Sequence, residues 1–215
     1  MIPLILRLKK KAHKDIAGAH DLLVEEIYNS FNDAVLHGGT AIWRCYKGNR
    51  FSEDVDVYLN RDLNRLELLF ENLKKKGFII EKKKISKNSL FSNLRLDRTI
   101  IRLEAIFKKA DGILSEYETV EGNFITVYTL TPEELINEKI NAYLNRYRVR
   151  DLYDIFFLLR HIKDRSNIKN RLRNLLKGFK KPIDELELKV LILEGLIPNS
   201  DKMVQYIERF IKRDG

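Results

Sequence analysis

The chain has 215 residues, 44% of them hydrophobic and 33% charged, with a formal net charge of +9. That is enough for one sizeable core, or for a catalytic domain with a modest helical partner, and the composition excludes a disordered polypeptide. No apolar run approaches the roughly 20 residues of a membrane-spanning helix, the single Cys45 excludes an internal disulfide, and the scattered histidines cannot build a zinc site of the usual spacing. The opening MIPLILRLKKK places its charges after a short apolar run, the reverse of a secretory signal, so a cytoplasmic location and no membrane partner are expected. The positive charge suits a polyanionic partner, without distinguishing RNA from DNA or a membrane surface, and is spread along the chain, not gathered in a tail.

Apolar positions at helical spacing (Ile16, Ala19, Leu23, Ile27) predict a helix over 14–31. Ala34 to His37 is a short buried strand stopping at Gly38-Gly39, and Thr40 to Tyr46 suits a helix closed by Gly48. Asp54 to Leu59 alternates charge and hydrophobe, the pattern of a half-buried strand. Leu63 to Lys76 is an amphipathic helix ended by Gly77. Phe78 to Ile85, Ser89 to Leu96, Thr99 to Phe107 and Phe124 to Tyr128 are strand-like. The lysine runs at 74–76, 82–84 and 108–109 are read as solvated ends of elements, with an unspecific nucleic-acid track as the alternative.

After Leu130 the texture changes. Thr131-Pro132-Glu133-Glu134 joins a hydroxyl cap, a proline at the first position and acids in the first turn, which is a helix start. The period then stays helical, with breaks near Arg148, Lys163, Gly178 to Pro182 and Pro198. The expected class is α+β: a mixed sheet with flanking helices over 1–130, then an all-helical part over 131–215 that packs on the active site.

Asp54 and Asp56 stand two positions apart on a strand, so both carboxylates point to one face and repel unless a cation lies between them. An isolated Asp-x-Asp is most often a solvated strand edge. Here it follows a Gly38-Gly39-Thr40 turn at a helix start, whose free N–H groups suit phosphate oxygens. Ser52 shares the parity of the two aspartates, whereas Glu53 is expected to be exposed or paired with a base such as Arg50. Mg²⁺ binds a few carboxylate oxygens and shares its other positions with water and substrate phosphates. A third carboxylate would complete a two-metal clamp. Glu104 is the candidate, on a strand where it shares a face with Arg102; simple exposure or pairing of both is the bland alternative.

In the helical part Lys139, Ala142 and Arg146 share a stripe. Lys139 offers a point charge to a triphosphate and Arg146 a fork for phosphate oxygens, against the commoner reading of a solvated face. Asp151 either orients Lys139 or accepts a proton from an attacking hydroxyl. Alternatively Asp151 and Asp154 cap their helix and pair with Arg148 and Arg150. The aromatic residues are too dispersed in sequence to predict a stacking platform, and core packing is expected for them.

Together, GGTAIWRCYKGNRFSEDVDVYL and EKINAYLNRYRVRDLYDIFFL resemble the motifs of the AbiEii/AbiGii-type nucleotidyltransferase toxins, in that family's order. The resemblance implies a polymerase-beta-like nucleotidyltransferase fold with a helical C-terminal part. It further implies Mg²⁺-dependent transfer of a nucleoside monophosphate from an NTP, with tRNA as acceptor class and a cognate antitoxin as partner in a type IV pair. Gly38, Gly39, Thr40, Ser52 and Arg146 would then bind the nucleotide, and Asp54, Asp56 and Glu104 the metal. Lys139 would contact the triphosphate, and Asp151 would be the essential acid of the later motif. Three other readings stand beside it: an enzyme modifying a small hydroxylated molecule, as antibiotic nucleotidyltransferases do, a nucleotide- or RNA-binding regulatory module without turnover, and a basic interaction protein with no ligand pocket.

Overall fold

The computed structural model describes residues 3–212, so the extreme ends of the spans 1–130 and 131–215, and the first two residues of the opening segment, lie outside the described residues. The described residues form two compact units. One holds the chain up to Lys47 together with Phe51–Thr129; the other holds Gly48–Arg50 and everything from Leu130 onward.

In the first unit, α1 (Leu4–Arg7), α2 (Lys11–Ser30), β1 (Val35–His37), α3 (Gly38–Cys45), β2 (Asp54–Leu59) and α4 (Leu63–Lys75) precede five strands. These are β3 (Ile79–Ile85), β4 (Ser89–Leu96), β5 (Thr99–Phe107), β6 (Ile113–Glu118) and β7 (Phe124–Thr129). All seven strands join one sheet in the order β3-β4-β5-β2-β1-β7-β6. β2 runs parallel to β5 and β1 parallel to β7, while the other pairs are antiparallel. This is the mixed sheet with flanking helices that the sequence predicts.

Alternation decides which face is which. Val55, Val57 and Leu59 of β2 are buried in one cluster with Leu23 and Ile27 of α2 and Leu66, Leu69 and Leu73 of α4. The intervening β2 residues therefore face the other side. Cys45 packs at the edge of this core, and burial pushes its thiol up to about 12, so it is inert packing.

Three differences from the sequence reading have simple causes. Helix α3 begins at Gly38 itself, whose φ of +69° makes the turn and the first helical residue coincide. Strand β6 was not predicted because it is an edge strand whose first four residues are not buried, leaving no period-two signal. Lys82, Lys83 and Lys84 lie in the middle of β3, not at an element's end. β3 is the other edge of the sheet, where lysines discourage pairing with another chain.

The helical unit contains α5 (Pro132–Arg146), α6 (Val149–Leu158), a 3₁₀ turn at Leu159–His161, α7 (Ser166–Lys177), α8 (Leu188–Leu191) and α9 (Ser200–Lys212). The Thr131/Glu134 capping box forms at the start of α5, with Pro132 in the first turn. Gly48–Arg50 belongs here because the Leu193 N–H donates to the Asn49 carbonyl (2.8 Å) and Arg50 bridges to Ile192. No helix among the described residues is long and apolar enough to cross a membrane.

One buried contact ties α2 to the start of β2. His20 is fully buried, its Nε2–H donates to the Glu53 carbonyl at 3.0 Å, and Nδ1 has no hydrogen-bond partner among the described residues. Burial, reinforced by the nearby Arg44 charge, pushes His20 down to about 3 from 6.5. Between those values the unfolded chain takes up a proton that the folded chain refuses. The stability this site supplies is complete above pH 6.5 and is lost as pH falls below it, by up to about 1.4 kcal/mol per pH unit. Urea denaturation across pH 4.5–7 is expected to show this limb flattened in His20→Gln; an unchanged slope would contradict the assignment.

Candidate active site

The aspartates of β2 meet their neighbours through strand register. Parallel pairing with β5 sets Asp54 beside Arg102 and Asp56 beside Glu104, and antiparallel pairing with β1 sets His37 beside Asp56. Asp54, Asp56 and Glu104 therefore share the sheet face opposite the core, each partly exposed. Arg102 stands among them. Its Nε and Nη2 both donate to Asp54 Oδ1, at 2.8 and 2.7 Å, and Nε lies 3.5 Å from Glu104 Oε1. The Asp54 hydrogen bond, the largest influence, raises the Arg102 pKa further.

Among the described residues, no three such side chains converge closely enough to hold a metal as they stand. The donor set nonetheless fits a hard divalent cation. It offers three carboxylates on one face, with His37 beside Asp56, and a guanidinium already occupies the position between two of the carboxylates.

Gly38 explains why the turn must be glycine. A Cβ there would lie 2.9 Å from the Asp56 carboxyl carbon and closer still to Oδ2, and φ is +69°. The backbone of the turn is thus pressed against the second aspartate. Gly39 and Thr40 are buried, and the Thr40 hydroxyl donates to the Asp54 carbonyl, so it ties α3 to β2. The N-cap residue His37 makes no side-chain capping hydrogen bond to α3, and first-turn N–H groups of a helix suit phosphate oxygens. Ser52 is buried just ahead of β2. On the same face the His37 ring stacks on Tyr58 at 3.9 Å, and Lys108 Nζ lies 3.7 Å from the centre of the Tyr58 ring. Sequence reading missed both, although Tyr58 shares the parity of the two aspartates.

The helical unit holds its own buried charge cluster. Asp151 and Asp154 on α6 are 0% and 1% exposed. Lys139 Nζ of α5 lies 3.0 Å from Asp154 Oδ2 and 3.7 Å from Asp151 Oδ1. Arg50 donates from Nε and Nη2 to Asp154, both at 2.8 Å, and Arg146 grips Asp151 in the same two-pronged way. Burial by itself would raise Asp154, but the charges of Arg50 and Lys139 outweigh it and hold the carboxyl below its ordinary value. Arg50, read from sequence as a partner for Glu53, gives its fork to Asp154. The helix-cap alternative also differs from what forms, for Arg148 reaches Asp184 (3.4 Å), and Asp184 Oδ1 accepts from the Val149 N–H. These partners are 35 to 104 residues apart, beyond any local pattern.

A family model described as "Nucleotidyl transferase AbiEii toxin, Type IV TA system" matches residues 21–211. Two solved structures share the fold. JHP933 from Helicobacter pylori is 20% identical, with 91% of this chain and 90% of that one covered and a TM-score of 0.59. MenT4, a nucleotidyltransferase toxin from Mycobacterium tuberculosis, is 18% identical, with 94% and 85% covered and a TM-score of 0.66. No curated protein sequence matches.

Gly38 and Gly18 make a matched pair for testing the turn. An added Cβ at Gly38 strikes Asp56, whereas nothing lies within 4 Å of one at Gly18 in the middle of α2. Gly38→Ala is expected to lose about 1–3 kcal/mol by urea denaturation, and Gly18→Ala to gain about 0.5–1 kcal/mol. A neutral Gly38→Ala would mean that the aspartate does not sit against the turn.

Proposed function

The chain belongs to the AbiEii nucleotidyltransferase toxin family of type IV toxin–antitoxin systems, and from that premise we propose a divalent-metal-dependent transfer of a nucleoside monophosphate from an NTP to an RNA hydroxyl. The observation that carries this reading is the register that lines up Asp54, Asp56 and Glu104 on one face beside the Gly38 turn.

In this reading Asp54, Asp56 and Glu104 hold Mg²⁺, which when bound supplies charge neutralisation at the phosphates and lowers the barrier to attack. The start of α3, at Gly38, Gly39 and Thr40, holds phosphate oxygens through backbone N–H groups, with Ser52 alongside. The Thr40 hydroxyl is already committed to the Asp54 carbonyl, so its part is through the backbone. Lys139 supplies the point charge for the triphosphate and Arg146 a second cation. Asp151 is a positioning residue: fully buried between Lys139 and Arg146, it orients those cations and is poorly placed to take a proton from an acceptor. The acceptor hydroxyl oxygen attacks the α-phosphorus and gives up its proton to solvent water, the bond from that phosphorus to the bridging oxygen breaks, and pyrophosphate leaves.

The net charge of +9 favours a polyanionic acceptor over a small molecule, and tRNA is the acceptor we propose. A cognate antitoxin and a cytoplasmic site of action complete the proposal.

Radiolabelled NTPs supplied one at a time with total tRNA, or with small hydroxylated compounds, test both chemistry and acceptor. Asp54→Asn/Asp56→Asn is expected to abolish label transfer to tRNA while circular dichroism stays unchanged. Undiminished transfer by the double variant would end the metal assignment, and label appearing only on small compounds would end the RNA assignment.

A further inference from the structure

Two helices of the C-terminal unit present matching side chains to a common hollow. From α6 and the turn after it come Tyr153, Phe156 and Arg160, at i, i+3 and i+7; from α9 come Lys202, Tyr206 and Arg209, at i, i+4 and i+7. Such spacings put each trio on one helical face. The hollow between them has a volume of about 600 Å³, with an aromatic floor in which Phe156 and Tyr206 meet edge to face at 5.0 Å. A second hollow of about 340 Å³ adjoins it and shares Arg160, Tyr206 and Arg209, with Arg165 added. Tyr206, 39% exposed, is thus common to two neighbouring cavities.

Charge around both cavities is of one sign. Neither is lined by an Asp or Glu, and among the described residues Arg160, Lys202 and Arg209 form no ion pair with a carboxylate. Cations left without carboxylate partners around an exposed aromatic ring are suited to a ligand carrying both phosphates and flat rings. Core packing is the expectation for the aromatics and Tyr153 meets it, whereas Tyr206 is exposed and Phe156 half-buried, at a surface that the transfer chemistry does not use.

The geometry points to a binding track for single-stranded nucleic acid on α6 and α9, in which two successive bases lie on either side of Tyr206 and the cations meet their phosphates. Base-paired nucleic acid hides its ring faces, so an aromatic platform selects unpaired nucleotides. Two adjoining hollows sharing one ring suit a strand, whereas a lone nucleotide would fill only one. The inference goes beyond the proposed transfer reaction and holds whichever hydroxyl is the acceptor.

Fluorescence anisotropy with a labelled short oligoadenylate, without NTP and with EDTA present, tests it apart from catalysis. Tyr206→Ala is expected to weaken binding about tenfold or more, and Tyr206→Phe to stay within about twofold of the unaltered chain. Arg209→Ala should weaken binding about threefold and reduce the salt slope by about 0.7. Asp54→Asn/Asp56→Asn should bind normally, so a failure here is distinct from a failure of the transfer reading. Equal binding by Tyr206→Ala would overturn the inference. So would competition by AMP, blunt duplex RNA or polyglutamate as effective as that of the oligonucleotide, which would mark a mononucleotide pocket or an unselective anion surface.

Discussion

Like charges on one sheet face are the constraint on which the first unit is built. Asp54, Asp56 and Glu104 share the face opposite the core. At the roughly 5 Å between neighbouring strands, two carboxylates repel by about 3 kcal/mol at an effective dielectric constant near 20. A cation close by relieves that repulsion. Arg102 fills that place, with both its bonds to a single Asp54 oxygen and Glu104 within 3.5 Å. Holding the strand that carries the charges falls to buried groups: His20 grips the Glu53 carbonyl, Thr40 the Asp54 carbonyl, and Gly38 leaves room for Asp56.

The second unit solves a similar problem by burial. Asp151 and Asp154 lie in the interior, and Lys139, Arg50 and Arg146 supply the opposite charge with near-ideal two-pronged geometry. Buried ion pairs of this kind add little net stability compared with apolar packing, but losing one partner strands the others at a cost of about 3–5 kcal/mol. In the proposed reaction their use is positional. Lys139 cannot swing freely, because the carboxylates on α6 set where its ammonium sits. A cation held in one place, without reorganisation at the moment of reaction, is what electrostatic stabilisation of a phosphoryl group requires.

Much of this was legible in the chain because it rests on local period. The parity of Asp54 and Asp56, the Thr131 capping box, and the limits of β2, β4 and β5 all follow from residues adjacent in sequence. The same-face placement of Glu104 needed one guess, that its strand pairs with β2, and register fulfils it. What escaped was non-local. Arg102 finds Asp54 across 48 residues and Arg50 finds Asp154 across 104, and no periodicity encodes such partners. Likewise Asp184 caps α6 from 35 residues away, taking the place that acids in the helix's own first turn were expected to fill. The cluster around Tyr206 was hidden for the same reason, since its two trios lie on separate helices about fifty residues apart.

Arg102 stands at the charge position that the proposed divalent cation would take among these carboxylates. Mn²⁺ titration followed by electron paramagnetic resonance, comparing the unaltered chain with Arg102→Ala in the absence of NTP, tests it most directly. Removing the guanidinium should tighten Mn²⁺ binding by about tenfold, equivalent to about 1.4 kcal/mol, because three carboxylates are then left without their counter-charge. Equal or weaker binding by Arg102→Ala would show that the carboxylate face is not built around a cation position at all.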